Sequence, residues 1–386
     1  HKNLSRLVQI SKSNFTNEYG VAFADFDNDG DEDIYSINAE GGNRLLLFGG
    51  NSRIKTTIKN NFIEAGIRLN ILGRYRTDSG DYIYDMGATV ADMDNDGDND
   101  LYIACLYGKN QLYENINGRR FWEIGRRIGV CCGNARSNVG IWGDIDNDGD
   151  LDLFVTNEDT TNMLFLNDGV GQFEEITHQA GLTSLGSGKC ATFGDIDQDG
   201  DLDLIVPYFC LPNRIYRNKG NHPQTGLPYF EDVTEQCLPS GLDSIAKSTS
   251  ACLADFDNDG DLDLYITNLV FTNRLFENDG TGKFKDITRS AGLIDSSMSH
   301  SCSFFDIDND GDLDLFVTNR GRNLFYKNTG NKKFIRDTTM FNREEVAYST
   351  GMACGDPDND GDIDIVSADS CLLYTSPSPR DLSTSR

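Results

Sequence analysis

The sequence predicts an all-β protein, a seven-bladed β-propeller. Three observations predict it: one acidic nine-residue loop occurs seven times, its copies lie about 50 residues apart, and short apolar stretches recur in phase with it. A period of that size suits a blade of four short strands. A single blade cannot bury both of its faces alone. Stacked in a ring, neighbouring blades cover one another and their edges are protected.

The loop reads D-x-D-x-D-G-D-x-D and starts at Asp25, Asp92, Asp144, Asp195, Asp255, Asp306 and Asp356, with steps of 67, 52, 51, 60, 51 and 50 residues. Its aspartates are Asp25, Asp27, Asp29, Asp31 and Asp33 in the first copy, and Asp92, Asp94, Asp96, Asp98 and Asp100 in the second. The third holds Asp144, Asp146, Asp148, Asp150 and Asp152, and the fourth Asp195, Asp197, Asp199, Asp201 and Asp203. Asp255, Asp257, Asp259, Asp261 and Asp263 form the fifth, and Asp306, Asp308, Asp310, Asp312 and Asp314 the sixth. The seventh consists of Asp356, Asp358, Asp360, Asp362 and Asp364.

Five carboxylates in nine residues repel one another unless a cation lies among them. Calcium is a hard cation that takes about six to eight oxygens. Positions 1, 3 and 5 can turn inward, position 7 can offer its backbone carbonyl, and position 9 returns a carboxylate as the next strand begins. All the loop aspartates are therefore candidate ligands, with Ca2+ expected about once per repeat. Position 6 is Gly in every copy, as at Gly260, where the chain must turn at positive φ. Position 2 (Phe26, Met93, Ile145, Ile196, Phe256, Ile307) and position 10 (Ile34, Leu101, Leu153, Leu204, Leu264, Leu315, Ile365) are apolar and anchor the loop. Pro357 breaks the position-2 pattern in the seventh copy.

Two other calcium motifs are excluded. An EF-hand needs a bidentate Glu at position 12 and flanking helices. Here position 12 is Ser36, Ile103, Val155, Val206, Ile266, Val317 or Ser367. The glycine-rich nonapeptide β-roll has a far shorter period. A metal-free Asp-Gly turn would explain one copy, since both residues favour turns. It does not explain seven complete ones.

The rest of the unit is as regular. An apolar strand A leads in (Gly20-Val21-Ala22-Phe23-Ala24) and strand B leads out (Leu262 to Asn268). Strand C carries N-R-L-F-x-N-x-G, seen from Asn273 to Gly280, and strand D carries F-x-D-I-T-x-x-A-G-L, from Phe284 to Leu293 and closely matched from Phe173 to Leu182. The seventh copy departs from this order after Asp369, where residues 371–386 have no repeat character. The expected domain is therefore residues 1–370, with a truncated last blade and a non-native or disordered tail at 371–386. Leu4 to Ile10 is the candidate for an outer strand that closes the ring.

These motifs resemble the FG-GAP-like, or VCBS-type, calcium repeat of integrin α-subunit propellers. The fuller unit is similar to that of the cartilage acidic protein group and its bacterial relatives. The resemblance covers about residues 10–370. It implies calcium in the A–B hairpins on one face, ligated by the aspartates above. It also implies secretion, with a place outside the cell or on its surface (periplasmic or outer surface in a bacterium), and roles in adhesion or matrix interaction.

Composition fits that picture. The 39 Gly and 8 Pro suit an all-β chain with many tight turns. A net charge of −28 excludes nucleic acid as partner, because phosphate binding needs a basic surface. Of 62 acidic residues, 35 are the aspartates of the loops, and seven divalent cations would bring −28 to about −14. No apolar run approaches the length of a membrane span. The chain opens at His1-Lys2-Asn3 without Met or leader, so a mature product or a fragment is expected. Asn3-Leu4-Ser5 and Asn14-Phe15-Thr16 are sequons that matter in a secreted eukaryotic chain.

Weaker signals concern the opposite face, where B–C and D–A loops meet. Strand order places Cys105 near Cys131 or Cys132, and Cys210 near Cys237, as candidate disulfides. The alternative is free thiols. Cys190, Cys252, Cys302 and Cys354 lie on inner strands and read as packing residues. Arg74, Tyr75 and Arg76, with Tyr82 and Tyr84, lie in an insertion, and Arg126 and Arg127 near the matching place one blade on. This basic, aromatic set is a candidate partner-binding patch for an extracellular protein or glycan, since Arg and Tyr are enriched at hot spots. The bland reading is a solvated loop.

His1, His178, His222 and His300 lack ligand spacing, and no G-x-S-x-G or P-loop occurs. The functional expectation is a non-enzymatic interaction module. Its alternatives are a calcium-dependent polysaccharide lyase or hydrolase on the same scaffold, or a structural spacer.

Overall fold

The computed structural model describes residues 18–38, 42–49, 62–73, 83–239, 247–338, 347–369 and 373–376. Each repeat folds as an antiparallel meander, as its alternating strands and turns require. The first holds β1 (Glu18–Ala24), β2 (Asp33–Asn38), β3 (Arg44–Leu47) and β4 (Ile63–Glu64). The second holds β5 (Tyr84–Ala91), β6 (Asp100–Tyr107), β7 (Gln111–Asn115) and β8 (Phe121–Glu123). The third holds β9 (Ser137–Gly143), β10 (Asp152–Asn157), β11 (Met163–Asn167) and β12 (Phe173–Glu175). The fourth holds β13 (Thr192–Gly194), β14 (Asp203–Val206), β15 (Arg214–Asn221) and β16 (Pro228–Asp232). In the fifth are β17 (Ser248–Ala254), β18 (Asp263–Asn268), β19 (Arg274–Asn278) and β20 (Phe284–Asp286). In the sixth are β21 (Ser299–Phe305), β22 (Asp314–Gly321), β23 (Leu324–Asn328) and β24 (Phe334–Asp337). The seventh has β25 (Ala347–Gly355), β26 (Asp364–Asp369) and β27 (Leu373–Ser376).

The protein is an all-β propeller, but among the described residues its sheets number six and not seven. Five are four-stranded, while β21 to β27 form one seven-stranded sheet. The cause is local. β22 runs on to Gly321, and its rungs Arg320↔Tyr348 and Gly321↔Ala347 join it to β25. Those two backbone pairs fuse the sixth and seventh repeats. A second difference lies in the tail: Leu373–Ser376 pairs with β26 as a third strand. Ladder bonds come from backbone groups, which carry no repeat signature in sequence. Leu4 to Ile10 lies outside the described residues.

The core is a series of clusters between successive repeats. Position-2 residues are inserted there, with Phe26, Ile145, Ile196 and Phe256 all buried. Position-10 residues from Ile34 to Ile365 are buried too. The first and last repeats meet through Val21, Ile34, Leu46 and Phe62 on one side and Val366 and Ala368 on the other. A-strands lie innermost and line an axial cavity of about 450 Å³, touched by Gly20, Gly87, Asn138, Lys189, Ser250, Ser301 and Gly351 from all seven repeats.

After strand D, four repeats make a single helical turn: α1 (Gly66–Leu69), α2 (Gly125–Ile128), α3 (Thr234–Cys237) and α4 (Thr288–Ala291). α4 ends on Gly292 at φ 86°, the left-handed cap that glycine accepts without strain. Among the described residues no helix is long and apolar enough to cross a membrane.

Candidate metal centre

All seven acidic loops join strand A to strand B, between strands that pair antiparallel. No helix flanks them, which agrees with exclusion of the EF-hand. Each loop turns on two residues in the left-handed region. Position 4 has φ between 52° and 60°, and the position-6 glycine between 86° and 95°. Open space surrounds the Cβ position at Gly260, so backbone conformation and not crowding requires glycine there.

The five aspartates do different things. Position 1 folds back over the turn: Asp255 accepts the N–H of Asp259 at 3.0 Å and of Gly260 at 2.9 Å. Position 5 accepts the position-7 N–H, as Asp259 does from Asp261 at 3.1 Å. Position 9 is buried in the first six loops and clamps two elements in the first four. Asp152 accepts the Ile145 N–H at 3.0 Å and the Asn167 N–H at 2.8 Å. Burial pushes Asp33, Asp100 and Asp263 up to about 8, and Asp152, Asp203 and Asp314 up to about 7.

Position 7 reaches the neighbouring loop. The position-4 amide of each loop donates to the position-7 carboxylate of the next: Asn28 to Asp98 at 2.5 Å, Asn95 to Asp150 at 2.7 Å, Asn147 to Asp201 at 2.7 Å and Gln198 to Asp261 at 2.5 Å. Asn258 to Asp312 at 3.3 Å, Asn309 to Asp362 at 3.1 Å and Asn359 to Asp31 at 2.8 Å complete the circle. The loops thus form a closed belt around one face.

Position 3 leaves an oxygen bare, as position 9 does through Oδ2 of Asp263 and Asp314 in the fifth and sixth loops. Oδ1 of Asp27, Asp94, Asp146, Asp197, Asp257 and Asp308 is buried without a hydrogen-bond partner. Burial and the adjacent carboxylates at positions 5 and 1 raise Asp27 and Asp146 to about 6. A buried acceptor left bare is costly, and native structures rarely tolerate it. A cation would satisfy it. The other carboxylates keep capacity for one, because each ionised oxygen has about two acceptor sites and uses one here. Carboxylate oxygens of positions 1, 3 and 5 lie within 4.8 Å of one another in the first, second, fourth and fifth loops; in the third, position 9 replaces position 5. The all-oxygen donor set suits Ca2+.

Three loops already face a cationic side chain. Arg217 Nε lies 2.8 Å from Asp197, Lys332 Nζ lies 2.5 Å from Asp257, and Lys327 pairs with Asp308. The sequence reading missed these, and also the position-4 amides. Asn in a turn looks like turn chemistry alone, and its partner lies a full repeat away.

Comparison with known proteins follows this geometry. The FG-GAP-like repeat model matches residues 92–155, 144–206, 272–317 and 306–367, more than half of the chain. The chain belongs to the FG-GAP-like repeat family. It is 26% identical over 328 residues to cartilage acidic protein 1 of Mus musculus, covering 78% of this chain and 48% of that protein. To the Homo sapiens protein of the same name it is 24% identical over 337 residues, covering 78% and 47%. The chain thus spans about half the length of these relatives. The crystal structure of BBS1N in complex with ARL6DN aligns with a TM-score of 0.57 at 11% identity, over 97% of this chain and 98% of that one, and supports the fold alone.

The face opposite the FG-GAP-like loops carries only part of the expected partner patch among the described residues. Arg74, Tyr75, Arg76 and Tyr82 lie outside the described residues. Arg126 and Arg127 are exposed on α2, with Arg127 3.8 Å from Glu114. Tyr84 of the expected set joins residues that the sequence did not point to. Tyr84 meets Tyr107 edge to face at 5.4 Å, and Arg136 covers the Tyr107 ring at 4.7 Å. Lys189 and Lys247 approach the Phe209 ring at 5.7 and 5.5 Å.

The expected disulfides are not formed there. Cys105, Cys132, Cys210 and Cys237 are free thiols, and Cys131 is in no disulfide. Cys105 instead donates to Asp85 at 3.1 Å, and Cys132 lies 3.6 Å from the Tyr102 hydroxyl. Loops brought to one face do not by themselves aim their side chains at each other.

Proposed function

We propose that this chain is a secreted, calcium-dependent interaction module without enzymatic activity, a single propeller domain over residues 1–370. Ca2+ seats in the A–B loops on one face and fixes their belt. An extracellular protein or glycan docks on the other face through aromatic and basic groups such as exposed Tyr107 with half-buried Arg136, and half-buried Phe209 with Lys189. The carrying observation is the bare, buried position-3 carboxylate oxygen in six loops, from Asp27 to Asp308. The matched repeat family and the relation to cartilage acidic protein 1 support the same reading.

Binding to the folded state alone stabilises it by linkage. Calorimetry should therefore give a higher Tm with calcium than with chelator, and equal values would count against the reading. Isothermal titration separates ligand roles. Asp146→Asn removes a buried ligand and should lower the stoichiometry by one ion. Asp150→Asn should keep it, because that side chain serves the neighbouring Asn95. Loops four to six, which already hold Arg217, Lys332 or Lys327, should fill last.

The lyase or hydrolase alternative draws on Lys189 and His300, which line the axial cavity. Release of reducing ends from a polysaccharide would favour it over simple binding.

A further inference from the structure

The inner strands carry a thiol pair that strand order alone did not disclose. Cys252 on β17 and Cys302 on β21 belong to consecutive repeats, and their Sγ atoms lie 2.9 Å apart. Bonded sulfurs stand about 2.05 Å apart. Unbonded ones normally keep a wider separation than this pair shows.

Position along the strand explains the meeting. Cys252 stands three residues before Asp255, and Cys302 four before Asp306. Successive strand residues point to opposite faces, so this one-residue offset turns the two side chains toward each other across the interface between repeats. Packing agrees. Cys302 is buried among Phe256, Tyr265 and Leu275 of the fifth repeat, and Cys252 packs against the same cluster. Cys354 faces back onto Phe305 and Phe316 of the sixth repeat, while Cys302 faces away toward the fifth. Cys190 meets the Ser250 hydroxyl at 3.6 Å. Among the described residues the geometry therefore singles out one pair.

We propose that Cys252 and Cys302 form a disulfide that staples the fifth repeat to the sixth beside the axial cavity. The oxidant is a low-molecular-weight disulfide such as oxidised glutathione. One protein thiolate attacks it, forms a mixed disulfide and expels one small thiolate. The second protein thiolate then attacks the first protein sulfur and expels the other. Two protein thiols are oxidised, the reagent is reduced to two thiols, and those leaving groups take up the two protons. Burial, with Cys302 alongside, pushes the Cys252 thiol well above its ordinary range. Exchange needs the thiolate, so the bond forms while the chain folds and the interface is still open.

The test is to refold the full chain in a mixture of oxidised and reduced glutathione, block free thiols, and map peptides without reduction. The expected result is one linked species containing Cys252 and Cys302, lighter by two hydrogen atoms than its separate peptides, with Cys190 and Cys354 blocked. Reductant should lower the Tm of the calcium-loaded protein. That sensitivity should be lost in Cys302→Ala and kept in Cys190→Ala. Recovery of both Cys252 and Cys302 as blocked thiols would overturn the assignment, and so would reductant sensitivity that persists in Cys302→Ala. Mapping needs only the unmodified sequence, so it decides the matter even if the variant fails to fold.

Discussion

At one register position the second repeat departs from the third, fifth and sixth. Where strand A opens against the end of strand B, Ser137 pairs with Asn157, Ser248 with Asn268 and Ser299 with Asn319, each hydroxyl donating to the amide oxygen. The second repeat has Asp85 opposite Cys105 there. Asp85 is 2% exposed and accepts from Asn43 at 2.7 Å, Gln111 at 3.4 Å and the Cys105 thiol. Tyr35 is the ionisable neighbour from the first repeat, and burial drives its phenol well above the ordinary range. None of these groups supplies a positive charge, and burial raises Asp85 to about 6 from 3.8. The native state therefore holds this proton more tightly than the unfolded chain. The associated stability is complete below about pH 4 and is lost as pH rises through about 6. Asp85→Ser supplies the hydroxyl that the third, fifth and sixth repeats carry there. Its urea-unfolding free energy should gain on the parent between about pH 5 and pH 7.5, with calcium saturating at both. A difference between the two proteins that does not vary with pH would refute the assignment of that proton.

Strands, not side chains alone, carry the ties between repeats. The last Asn of strand C reaches back to the preceding loop: Asn167 to Met93 O at 2.7 Å, Asn218 to Ile145 O, Asn278 to Ile196 O and Asn328 to Phe256 O, each of the last three at 2.8 Å. Asn278 also donates to Leu262 O at 3.0 Å. Asn278→Ala strips both buried carbonyls of this donor and should cost about 1–3 kcal/mol in chemical denaturation. The same change at exposed Asp279 should be nearly neutral. Sequence predicted the strand itself, because N-R-L-F-x-N-x-G recurs with apolar residues at fixed steps. It also placed Phe256 and Leu264 correctly, since their alternation with aspartates leaves them one direction to point. It could not assign Asn278, whose acceptor Ile196 lies 82 residues back. Nor could it find α4, because four residues are too few for a helical hydrophobic period to register. The thiols show the same limit: Cys105, expected in the B–C loop, stands inside β6 and is fully buried, and its neighbours depend on which way that strand turns each side chain.

For the whole molecule, the decisive contact is the one that joins residues most distant in sequence. The seventh loop meets the first: Asn359 donates to Asp31 and to the Gly30 carbonyl at 3.2 Å, and the Asp356 N–H donates to Glu32 at 2.8 Å. Behind them, Val366 and Ala368 pack on Ile34 and Leu46. Every other interface joins repeats that are also neighbours in the chain. Only this seam must wait until the whole ring has assembled, so it carries the largest loop-closure entropy. Truncation here should open the ring locally before it unfolds it. Leu46→Ala removes a buried side chain from the seam, at a cost of about 2–5 kcal/mol. Leu164→Ala does the same inside the interface between the third and fourth repeats. By native-state hydrogen exchange, Leu46→Ala should speed exchange in β1, β2, β25 and β26 while β10 and β11 keep their protection. Leu164→Ala should leave the seam strands as slow as in the parent protein. Equal acceleration of every strand by Leu46→Ala would mean that the ring opens only as one unit, and the seam would then have no separate weakness.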